Sequence, residues 1–74
     1  MNNKQKELIS WIENESNNSF NLYLEKKALV EKDLSKLSDN GLIKNLEHEL
    51  MAKHYYAMAC AYELCKRKVQ EALK

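Results

Sequence analysis

The chain's apolar positions recur at helical rather than strand spacing. Leu8, Ile9, Trp11 and Ile12 fall on one arc of a 3.6-residue helix, after which the pattern stops at "NESNNS", residues 14–19. There, consecutive Ser and Asn side chains are able to bond their own backbone and compete with the helix, which predicts a kink or short loop. From Phe20 a heptad-like series resumes: Phe20, Tyr23, Val30, Leu34 and Leu37, broadened by Leu22, Leu24 and Leu29. "LSDNGL", residues 37–42, joins the lone Gly to Ser, Asp and Asn and reads as the bend of a hairpin.

Beyond Gly41 the helical pattern runs without a break to the C-terminus. One stripe comprises Ile43, Leu46, Leu50, Ala57, Ala61 and Leu64; a second comprises Met51, Tyr55, Met58, Tyr62, Cys65, Val69 and Ala72. With no Pro and one Gly in 74 residues, little else opposes helix. The reading is an all-α single domain: a short N-terminal helix at about 3–15, a second at about 19–37 and a long third at about 41–73, the last two forming an antiparallel hairpin. A helix of that length spans roughly 50 Å, whereas a compact chain of this size has a diameter near 30 Å. It cannot be buried inside a globule.

One antiparallel neighbour covers only one of the two stripes. A second copy, giving a four-helix arrangement, would cover the other, with Met51, Tyr55, Met58, Tyr62, Cys65 and Val69 as the expected oligomer interface. A compact three-helix monomer is the rival solution.

Charge and composition narrow the partners. Twelve basic and eleven acidic residues leave a net charge of +1, which offers nucleic acid or anionic lipid no strong field. No stretch has the length and apolarity of a membrane span, no signal peptide is evident, and two cysteines cannot form a disulfide framework. A cytoplasmic location is expected. The excess of Lys over Arg and the many Asn residues suit an AT-rich genome, such as that of a phage or other mobile element.

"HYYAMACAYELC", residues 54–65, holds most of the side chains capable of chemistry. Cys60 and Cys65 are five apart, some 140° around a helix, and cannot share a metal. His48 and His54 lack the spacing of a ligand pair. A Cys–His dyad would need an orienting third group and a cleft, which packed helices do not supply. Cys65 is expected to be buried and apolar, His54 to face inward, and Ala52, Ala57, Ala59 and Ala61 to mark a helix crossing. No cofactor, metal or small-molecule substrate is expected, and enzymatic function is not.

Leu37, Ser38, Asp39, Leu42 and Ile43, followed by a basic-ended helix, resemble the helical hairpin of small sporulation-checkpoint inhibitors of histidine kinases. The chain departs from that pattern at Gly41 and in its extra N-terminal helix, and family membership is not assigned. The functional expectation is a protein–protein interaction module that binds itself and a larger protein, which it regulates or inhibits. Trp11, Tyr56, Lys66, Arg67 and Lys68 are the candidate contacts. A small dimeric DNA-binding regulator or accessory protein is the alternative.

Overall fold

A computed structural model describes residues 2–73. Two helices, α1 (Asn3–Ala28) and α2 (Asp39–Ala72), pack against each other as an antiparallel hairpin, joined by a segment containing one 3-10 turn at Leu34–Lys36. The molecule is a rod of 55 × 16 × 14 Å.

Local side chains set the helix ends. Asn2 and Gln5 form a reciprocal capping box, each side chain accepting the other's backbone N–H at 2.9 Å. Ser38 caps α2 by accepting from the Gly41 N–H, and Asp39 in the first turn suits the positive end of the helix dipole. In the connector, Asp33 accepts from the Ser35 N–H and hydroxyl, closing a short Asx turn.

Two expected boundaries are corrected. No loop interrupts the chain at residues 14–19, because α1 continues through them. Ser16 and Ser19 lie buried against α2, where their small size permits close approach, and the Ser16 hydroxyl is within reach of the Ala59 carbonyl (3.3 Å) and Glu63 Oε1 (3.1 Å). Bonded across the seam, Ser16 no longer competes with its own helix. The helix also ends at Ala28 rather than near residue 37. There Asn45 of α2 captures the connector: its Oδ1 accepts from the Glu31 N–H (2.7 Å) and its Nδ2 donates to the Glu31 carbonyl (3.1 Å). Both backbone groups that a longer helix would have used are satisfied by one side chain. The described residues thus form two α-helices, not three.

The seam follows a strict alternation of three and four residues. On α1 it comprises Gln5, Ile9, Ile12, Ser16, Ser19, Tyr23 and Lys26; on α2, Gly41, Asn45, His48, Ala52, Tyr55, Ala59, Tyr62, Lys66, Val69 and Leu73, all buried or half-buried. That is the 3.5-residue period of a left-handed coiled coil. Its centre is thin, since the only buried apolar side chains among the described residues are Ile9, Ile12, Ala52 and Ala59. Fourteen large apolar side chains remain exposed.

Candidate interaction surfaces

Three surfaces surround the seam. The first is the side of Trp11, which packs edge-on to Tyr62 at 6.1 Å and 87° and is itself 54% exposed. Leu8 and Leu22 share its arc of α1, and Met51 and Met58 the matching arc of α2.

The second surface lies on the opposite side. Tyr56 is about 120° around α2 from Tyr62. It joins Phe20 and Tyr23 in an aromatic ridge, with centroids 5.1 Å apart for Tyr23–Tyr56 and 5.6 Å for Phe20–Tyr23. A shallow groove of about 510 Å³ on one flank of Tyr56 reaches Cys60, Glu63 and Arg67, and another of about 610 Å³ on its other flank reaches Lys27, Lys32, Glu49 and Lys53. The basic character of the second groove is offset by Glu49, which pairs with Lys53 at 3.8 Å.

The third surface is the back of α2. Ile43, Leu46, Leu50, Ala57, Ala61 and Leu64 lie about 160° from the line of Ala52 and Ala59, and so face away from α1. All six are exposed, Ile43, Leu46, Leu50 and Leu64 by 55–61%.

The residues expected to act together are therefore dispersed. Of the expected oligomer interface, Tyr55, Met58, Tyr62 and Val69 are half-buried within the chain's own hairpin, while Met51 and Cys65 are exposed. Of the expected partner contacts, Trp11 and Tyr56 occupy opposite sides, and Lys66 lies in the seam, ion-paired with Glu13 (3.6 Å) and Glu63 (3.3 Å). Arg67 and Lys68 are exposed. Lys66 and the Ser16 hydroxyl hold the Glu63 carboxyl below the ordinary glutamate range, the Lys66 hydrogen bond being the larger cause.

Three further expectations are corrected. Cys65 is exposed, as is Cys60, because the helices meet along Ala52, Tyr55, Ala59 and Tyr62, a line that takes only Tyr55, Tyr62 and Val69 from the Met51–Ala72 stripe and leaves Cys65 outside it. His54 is exposed beside Tyr55 for the same reason. Ala52 and Ala59 do mark the crossing, but Ala57 and Ala61 face outward.

Asn45, Ser16 and Ser19 are the buried polar residues of the seam, which counting apolar positions misses. A seven-residue recurrence of short side chains at Asn45, Ala52 and Ala59 was the available signal. Among the described residues no group of three or more His, Cys, Asp or Glu is placed to hold a metal ion. No helix among the described residues is long and apolar enough to cross a membrane. No protein-family model, curated protein or solved structure matches the chain.

Proposed function

We propose that this chain is a non-enzymatic interaction module that pairs with itself and binds a larger protein, which it regulates or inhibits. The observation that carries this reading is the imbalance between its core and its surface: four buried apolar side chains against fourteen large exposed ones. Exposed apolar side chains that gather into patches, as on the Trp11 side and the back of α2, mark surfaces for protein contact. The Trp11 side is the assigned contact with the larger protein, because Trp11 stands half-exposed against Tyr62, one turn from the exposed Leu8, and Trp is enriched among binding hot spots. Charge argues against nucleic acid as the main partner, since the lysines around Tyr23 and Tyr56 share their groove with a carboxylate.

The test is capture from extracts of the native host, followed by titration of each captured protein, purified, against the wild-type chain and Trp11→Ala. The reading expects one binary complex that the substitution weakens by tenfold or more, as hot-spot truncations do. Absence of any binary complex would overturn it. So would binding to DNA that falls steeply with salt, the mark of phosphate contacts.

A further inference from the structure

The six-residue stripe on the back of α2 is exposed throughout, and its bulky and small residues are grouped. Ile43, Leu46 and Leu50 are bulky, Ala57 and Ala61 small, and Leu64 closes the far end. We propose that this stripe is the surface on which a second copy of the chain docks, the two α2 helices running antiparallel about a two-fold axis between Lys53 and His54. This deepens the interaction-module reading and rests on it.

Aligning the stripes end to end fixes the register. Ile43 then meets the partner's Leu64, Leu46 the partner's Ala61 and Leu50 the partner's Ala57. Each bulky side chain of the middle layers faces a methyl group, so the backbones approach closely with neither void nor clash. A parallel pair would stack Leu50 on Leu50 and Ala57 on Ala57, which leaves the layers alternately crowded and empty.

Charge selects the same orientation. The antiparallel register brings Asp39, in the first turn of α2, to the level of the partner's Lys68 near the other end. It also sets the two helix dipoles head to tail. In a parallel pair Asp39 would face Asp39, and Lys68 would face Lys68. Like charges at matched levels oppose that arrangement.

The rod as a whole exposes more surface than a lone chain of its mass requires. A folded monomer of 8.7 kDa is expected to expose about 4,700 Å², whereas this chain exposes 5849 Å². Two copies covering only that excess would bury about 2,200 Å² in total, above the roughly 1,200–2,000 Å² of a standard stable interface. Pairing through the back of α2 also leaves the Trp11 side open, so a larger protein and a second copy occupy different surfaces.

Sedimentation equilibrium across a hundredfold range of concentration tests the proposal, with far-UV circular dichroism confirming helix in every variant. The wild-type chain is expected to reach twice the monomer mass, and Leu50→Glu to remain monomeric. Ala57→Leu is the sharper variant, since Leu is a good helix former at a position exposed in the single chain. It should weaken antiparallel pairing by about tenfold or more through overpacking. The exchange Leu50→Ala with Ala57→Leu restores the large-to-small match and should recover the wild-type mass. A monomeric wild type would overturn the proposal. So would a dimer that Leu50→Glu leaves intact, or one that Ala57→Leu tightens, which is the parallel outcome. Trp11→Ala should leave the dimer unchanged, so loss of the larger partner and loss of self-pairing are read separately.

Discussion

Asn45 is a polar residue whose removal should cost more than that of most apolar residues on the surface. It is buried, and its amide makes two hydrogen bonds to the backbone of Glu31, fixing where the connector leaves α1. In Asn45→Ala the Glu31 N–H and carbonyl lose those partners, a loss of about 1–3 kcal/mol. Urea unfolding should show the midpoint falling with an unchanged slope, because the folded surface is not altered. Glu63 makes the complementary case for charge. Its carboxyl is held below the ordinary glutamate value by Lys66 and then Ser16, so as pH falls the unfolded chain takes up this proton before the folded one. The associated stability is fully present above the unfolded-state value and is lost as pH drops through the folded one. Between about pH 5 and pH 3, the urea midpoint of Glu63→Gln should therefore fall less steeply than that of the wild type. Because the group is exposed, the difference should shrink in high salt.

At the scale of elements, the helical character of the chain and the length of α2 were legible, because the pattern from Ile43 to Val69 offers neither Pro nor Gly to interrupt it. The beginning of α2 was legible only in part: Ser38 and Asp39 supply cap and first-turn chemistry, but residues 37–42 read as the bend itself, whereas α2 already runs from Asp39 and takes Gly41 into its first turn. The continuity of α1 was not legible. Ser16, Asn17, Asn18 and Ser19 have local alternatives to helix, and only the neighbouring helix supplies the packing that makes helix win. The seam was half hidden for a related reason: on α2 it alternates Tyr55, Tyr62 and Val69, which belong to the second apolar stripe, with Asn45, Ala52, Ala59 and Lys66, which a search for bulky apolar residues passes over. The rest of that stripe lies on the flank of the helix and the other stripe on its back. Close approach at Ala52 and Ala59 against Ser16 and Ser19 also makes a prediction. Ala59→Leu places three further carbons where α1 leaves little room, and overpacking of this kind costs about 1–3 kcal/mol. Chemical denaturation should register that loss. Ala57→Leu, two residues away but facing outward, should leave the isolated hairpin's stability within about 0.5 kcal/mol of the wild type.

At the scale of the whole molecule, the balance of surface and core determines how the fold responds to concentration. A radius of gyration of 17.0 Å compares with about 11 Å for a compact chain of this length, and the thin seam alone buries little apolar area. If a second copy supplies the missing burial, unfolding is coupled to dissociation and the thermal midpoint depends on protein concentration. The size of that dependence follows from elementary quantities. Each tenfold increase in concentration stabilises a dimer by about 1.4 kcal/mol. Unfolding two chains of 74 residues carries an entropy near 0.3 kcal/mol/K at about 2.1 cal/mol/K per residue. The midpoint should rise by about 4 °C for every tenfold increase. In Leu50→Glu the same series should be flat, with a midpoint below that of the wild type at every concentration. Differential scanning calorimetry between about 10 µM and 1 mM would resolve a rise of roughly 8–9 °C. A flat wild-type series would mean that the hairpin stands by its own seam and that its exposed leucines have some occupant other than a second copy.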